Sequence, residues 1–314
     1  MMLAFSPLAL LGFASLASAP GTDALVFGVV KGMKLTKHFE ASLELKTKST
    51  SYTVAGQDAP KELTDKMRMS TSIRHVFELE DEYVDVEGSQ PKEIWRRFRA
   101  AKQSSTHRGA TEGDPRSDAR ERESSLVGFT VAFTWIEKDR KYDTAYHGEQ
   151  GVAILLYGLT EDTDCLRFLP KRTVAPDDTW TIEPSALNDL VMPSGERFDA
   201  QGGGQTELSF FKQAVGTVEA KYGGARNVDG RKCGVVALTA KLSMKSGSKD
   251  VTVAVELGGE LLWDLDGKHL HSYDLRGPFE MKVSSHDTIE HEGKRYPEDR
   301  AVVLAGEVKL SGRM

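Results

Sequence analysis

Apolar and polar side chains alternate with a period of two along most of this chain, and that pattern admits few folds. From Met33 to Leu45 the odd positions read Met33, Leu35, Lys37, Phe39, Ala41, Leu43 and Leu45. The even positions read Lys34, Thr36, His38, Glu40, Ser42 and Glu44. Successive side chains of a strand point to opposite faces, so such a run predicts a long strand with one wet face. Met67, Met69, Thr71, Ile73, His75, Phe77 and Leu79 repeat the scheme, as do Val127, Phe129, Val131, Phe133 and Trp135.

The carboxyl-terminal third reads as a strand meander. Val236, Leu238, Ala240, Leu242 and Met244 form one row; Val251, Val253, Val255, Leu257, Leu261, Trp263 and Leu265 form the next. Gly258-Gly259 inside that row marks a bulge or sharp bend. Asp266-Gly267 predicts a two-residue hairpin turn of type I′, which needs positive φ at both positions. Strands of a dozen residues exceed the usual five or six. Long antiparallel strands, apolar on one face, predict a mainly β (α+β) fold. The expected form is a large curved antiparallel sheet or half-barrel of ten to twelve strands, with a few short helices covering its concave face.

Those helices are expected in the middle of the chain, where alternation lapses: Val152 to Tyr157, Thr163 to Leu169, and Ser185 to Met192, with Ser185 as a cap. Residues 20–314 are read as a single β-rich domain. Within it, Gln103 to Ser125 is polar and charge-dense and predicts a disordered loop, and Gln201 to Gln205 a flexible glycine-rich connector.

At the amino terminus, Leu3 to Leu16 is almost wholly apolar or small and Ala17-Ser18-Ala19 fits a cleavage site. Roughly 20 apolar residues are needed to span a membrane, so residues 1–19 predict a signal peptide and an exported, periplasmic or extracellular protein with no transmembrane span after cleavage. A short uncleaved anchor is the alternative, because no Lys or Arg precedes Lys31. Export permits disulfides, so Cys165 and Cys233 are either a bonded pair or two buried thiols; neither has metal-site spacing.

The net charge of −6 is spread over intermixed acids and bases, which excludes a general nucleic-acid binder. The basic cluster Trp95, Arg96, Arg97, Arg99 and Lys102 reads as a solvated strand edge compensated by Glu80, Asp81, Glu82 and Glu87.

Catalytic chemistry finds no motif. There is no Gly-x-Ser-x-Gly elbow and no His-Glu-x-x-His, and no cofactor is implied. The candidate metal ligands are His286 and His291, in a polar turn running to Glu292, and His269 and His271 on the wet side of one strand. His75 stands in an inward row between Ile73 and Phe77, where it needs a partner. An unrecognised hydrolase would draw its acid and base from His75, Asp264 or the His286–Glu292 cluster. The carboxylate pairs Glu161-Asp162 and Asp177-Asp178 have no spacing that defines a glycosidase.

The phrase Phe168-Leu-Pro-Lys-Arg-Thr-Val-Ala-Pro-Asp-Asp-Thr-Trp180, followed by a meander containing Gly258-Gly-Glu-Leu-Leu-Trp-Asp-Leu-Asp-Gly267, resembles an exported bacterial family of unknown function. That family is similar in architecture to the lipoprotein-localisation-factor superfamily of half-barrel lipid carriers. The resemblance spans about residues 120–310 and implies acyl chains held under a helical lid. It carries over no catalytic residue. The resulting expectation is a non-enzymatic envelope protein binding a lipid, lipoprotein or other hydrophobic partner in its sheet. The alternatives are an interaction scaffold with a packed concave face, or the hydrolase.

Overall fold

The computed structural model describes residues 22–110, 117–195, 207–245 and 250–314. Among these, thirteen strands form one open antiparallel sheet. They are β1 (Lys34–Val54), β2 (Gln57–Asp58), β3 (Met69–Glu87), β4 (Gln90–Gly109), β5 (Asp118–Glu123), β6 (Thr130–Ile136) and β7 (Lys141–Tyr146). After a largely irregular stretch come β8 (Thr179–Ile182), β9 (Val215–Val228), β10 (Arg231–Lys245), β11 (Asp250–Asp264), β12 (His269–His291) and β13 (Lys294–Arg313). The spatial order is β7-β6-β4-β3-β1-β13-β12-β11-β10-β9-β8, with β2 on β1 and β5 on β4. Two meanders therefore meet where the first strand pairs with the last, Ala41 opposite Leu310 and Leu43 opposite Val308.

The alternation lands as expected. Phe39, Ala41, Leu43, Leu45, Ile73, Phe77 and Leu79 are all buried, and inward rows from β6 to β9 share one core. Only a sheet bent around a common interior allows this. Part of the bend comes from inward glycines. An added Cβ at Gly259 would meet the Asp274 carbonyl, at Gly277 the Glu256 carbonyl, and at Gly306 the Glu44 carbonyl. Gly258 and Gly259 keep register opposite Arg276 and Leu275, so the pair bends the strand without a bulge.

The interior is closed on two sides. Across the inner face lies a cover from the segments 152–195 and 207–214. The expected helices at 152–157 and 163–169 shrink to single 3-10 turns, Ala153–Leu155 and Leu166–Phe168. The third is a 3-10 turn, Pro184–Ala186, running into a short helix, Leu187–Val191; Ser185 does not cap it, its Oγ instead meeting Arg167 Nη2 at 2.6 Å. The cover inserts Phe168, Leu187, Leu190, Val191 and Phe211, each at most 1% exposed. Phe210 packs edge-on against Phe279 of β12, and Tyr273 donates to the Leu190 carbonyl at 2.9 Å.

Residues 22–33 form a strap across one end of the sheet. Asp23 pairs with Val174 and accepts from Tyr222 Oη at 2.6 Å; Trp263 Nε1 donates to the Val26 carbonyl; Gly32 N donates to the Tyr83 carbonyl. Leu25 and Val29 point inward and are buried.

Two local expectations are corrected. Within the stretch 103–125, expected as a disordered loop, the described residues Gln103–Gly109 complete β4 and Asp118–Glu123 pair with them as β5. Both faces of this flap are wet, so no apolar alternation marks it. The Asp266-Gly267 turn is real but not type I′, since Lys268 has the positive φ (55°), while Asp264 Oδ1 accepts from the backbone of Asp266 and Gly267. True two-residue turns with both φ positive occur at Asp229-Gly230 and Glu292-Gly293. Residues 1–19, 111–116 and the connector 201–205 lie outside the described residues.

Candidate functional site

Four inward positions near the strapped end break the apolar rule, and they converge. Lys37 on β1, Asp81 and Tyr83 on β3 and Arg96 on β4 are each 0% exposed. Register sets them side by side, Leu35 opposite Asp81 and Asp81 opposite Arg96. Arg96 grips Asp81 with two parallel bonds, Nε to Oδ1 at 2.7 Å and Nη2 to Oδ2 at 2.8 Å. Lys37 Nζ lies 2.9 Å from Asp81 Oδ2.

The same cations reach up to the cover. Arg96 donates to the carbonyls of Thr160 and Glu161 at 2.8 and 2.6 Å, and to Ser194 Oγ at 2.8 Å. Lys37 donates to Asp164 Oδ1 and Thr163 Oγ1, both at 2.8 Å, and Tyr83 donates to Asp164 Oδ2 at 2.7 Å. Two cations face two carboxylates, and the arrangement works as a latch between sheet and cover. Burying charges is costly unless every donor is paired, and here they are. Burial alone would raise the Asp81 carboxyl, but the Arg96 guanidinium and the Lys37 ammonium hold it well below the usual carboxylate range. Burial works against a charged Lys37, but Asp164 and Asp81 outweigh it and raise its pKa. Burial and Asp164 push the Tyr83 hydroxyl up, so it stays a neutral donor. Beside the latch, burial and the charge of Asp164 push the Asp162 carboxyl to about 7, while its oxygens accept from the backbone of Asp164 and Leu166.

Away from the latch the inner face runs out from under its cover. One rung, Leu242–Val255–Phe279–Gly306–Leu45, lies beneath Phe210. The next is Met244–Val253–Met281–Leu304–Thr47, with Met69 bonded to Thr47 beyond it. Its methionines are only partly buried, and farther out Val283 is 37% exposed. The apolar face thus ends in a methionine-lined mouth, and Met adapts readily to irregular apolar partners.

Two grooves lie elsewhere, on the outer face. One of about 800 Å³ is lined by His38, Arg74, Glu78, Arg99, Lys102 and neighbours, the other of about 590 Å³ by residues around Ala254 and Ala305. Arg74 and Arg99 there are engaged by Glu40 and Glu80.

The structure scatters the sequence candidates. His269 is buried with Nδ1 2.7 Å from the Leu270 carbonyl, whereas His271, at a register shift beside Trp263, lies by Asp229. Asp264 is committed to its turn and to Arg231. The 286–291 stretch belongs to β12, not to a turn, and His286 stands on an exposed face with Nδ1 2.6 Å from Asp299; the His291 side chain lies outside the described residues. Among the described residues no three His, Cys, Asp or Glu side chains cluster to hold a metal ion. His75 is buried opposite Ala41, and burial lowers its pKa to about 4. Cys165 and Cys233 are free and buried in separate apolar clusters. Asp177 pairs with Lys221, Asp178 caps Ala175, and neither faces another acid across a cleft. In the phrase 168–180, Thr179-Trp180 opens β8.

The basic cluster needs the firmest correction. Arg97 and Arg99 are exposed as expected, but Arg96 and Asp81 are wholly buried. The signal was parity: Arg96 sits between Ile94 and Phe98, Asp81 continues the row Phe77–Leu79, and Lys37 interrupts Leu35–Phe39. No family model and no curated protein matches the chain.

Proposed function

We propose that this protein is a non-enzymatic binder of an apolar ligand, which lies along the inner face of the sheet between the latch and the methionine-lined mouth. The observation that carries this reading is the continuity of one apolar surface from a sealed interior to a partly open end. The cover above it has little regular structure outside β8, and the ionic cluster ties its segment 160–164 to β1, β3 and β4, so that segment can part from the sheet while β8 stays paired with β9. The resemblance of residues 168–180 and 258–267 to an exported family of unknown function, itself similar in architecture to half-barrel lipid carriers, points the same way, and the apolar residues 1–19 suit an exported envelope protein. Among the described residues no helix is long and apolar enough to cross a membrane.

The test is native mass spectrometry of protein purified from its own host, with lipid extraction, beside titration with the neutral fluorophore N-phenyl-1-naphthylamine. A co-purifying acyl molecule, or saturable fluorescence lost in Met281→Arg, is expected. Absence of both would leave the packed scaffold, which the filling of the inner face by Phe168, Leu190 and Phe211 favours.

A further inference from the structure

The latch is asymmetric in charge across the boundary between sheet and cover. The sheet contributes Lys37 and Arg96 against Asp81 alone, and the cover contributes Asp164. Lifting the cover strips Lys37 of Asp164 and Thr163, and Arg96 of two carbonyls and Ser194. What remains is a cationic pair with unfilled donors at the deep end of an apolar trough. Arg96 lies over the Phe133 ring at 4.8 Å, and Leu79 and Phe39 flank the site. An apolar occupant that excludes water from the trough would leave these donors unpaired at a cost, unless its polar end is an anion that meets them.

We infer that Lys37 and Arg96 form the head-group site for an anionic amphiphile, whose carboxylate or phosphate takes the place of the Asp164 carboxylate while its aliphatic tail runs along β1 toward the mouth. From Lys37 to Thr47 the strand extends about 33 Å, ample for a fatty acyl tail. This assignment rests on the apolar-binder reading and adds the ligand's chemical class. The cover's own Asp164 then acts as an internal competitor that keeps the empty protein shut.

The experiment compares hexadecanoate, hexadecanol and hexadecyltrimethylammonium as displacers of N-phenyl-1-naphthylamine from the full-length protein, from Asp164→Asn and from Lys37→Met, each checked for folding by circular dichroism. Hexadecanoate should displace best. Its advantage over hexadecanol should grow about tenfold in Asp164→Asn, where the competitor is gone, and vanish in Lys37→Met. Loosened packing would take up acid and alcohol alike, so a gain in the preference for hexadecanoate over hexadecanol in Asp164→Asn is not mimicked by misfolding. Inorganic phosphate should leave hexadecanoate binding unchanged; competition would mean a simple anion site and overturn the amphiphile. Equal binding of acid and alcohol in the wild type and Asp164→Asn overturns the head-group site and leaves the apolar binder standing. Failure of the fluorophore and all three displacers removes both.

Discussion

The ammonium of Lys37 lies 2.8 Å from the carboxylate of Asp164, a residue 127 positions later in the chain. That contact joins the first strand to the cover through a core with no access to water. It makes the position of an irregular segment depend on charge as much as on apolar packing.

Arg96 is the other half of that connection. Arg96→Met would leave Asp81 with one cation and free two cover carbonyls, a loss expected at about 3–5 kcal/mol for a broken buried pair. Urea unfolding measures it. A change below about 1 kcal/mol would show that the latch does not hold the native state together.

Acid should weaken the protein through His75. Its folded pKa is lowered to about 4 by burial, against an ordinary value of 6.5. The unfolded chain therefore takes up this proton first, and stability falls as pH drops from about 6.5 to about 4, by about 3 kcal/mol. Comparing unfolding at pH 7 and pH 4 in wild type and His75→Leu isolates the effect. An equal loss in both proteins would assign it to other groups.

Two glycines offer a matched contrast. A Cβ at Gly306 would press on the Glu44 carbonyl, whereas nothing lies within 4 Å of one at Gly258. Gly306→Ala should cost about 1–3 kcal/mol by overpacking, and Gly258→Ala less than about 1 kcal/mol. Thermal melts of the pair decide whether inward glycines set the bend.

The thiols of Cys165 and Cys233 are buried and unbonded, and burial pushes the Cys165 thiol up. A disulfide-exchange reagent should therefore find neither in the native protein and both in denaturant without reductant. Silence in denaturant would reveal a bond between them.

The long strands were legible because one buried face imposes a strict period, as in Phe39–Ala41–Leu43 and Ile73–His75–Phe77. The flap of β4 and β5 was not, because Asp118 to Glu123 buries almost nothing and so keeps no period. The strap and cover were legible only as apolar content, since Leu25 and Phe168 owe their placement to distant partners. The latch was half-written: Lys37 stood visibly out of place in its row. Its partners Arg96 and Asp81 were hidden among exposed neighbours of the same charges, and only the strand parity tells them apart.

Because β1 and β13 are neighbours at the middle of the sheet, β1 meets this partner only after all the strands between them have been synthesised. Until then each meander carries a long bare edge, open to pairing with a wrong chain. The nascent chain is thus most vulnerable just before β13 is made, and a truncation within β13 would strike the seam rather than a margin. His38 faces Arg313 across that seam, so a tether from the end of β13 to the start of β1, with new ends opened at an outer hairpin, would turn this late encounter into an early one.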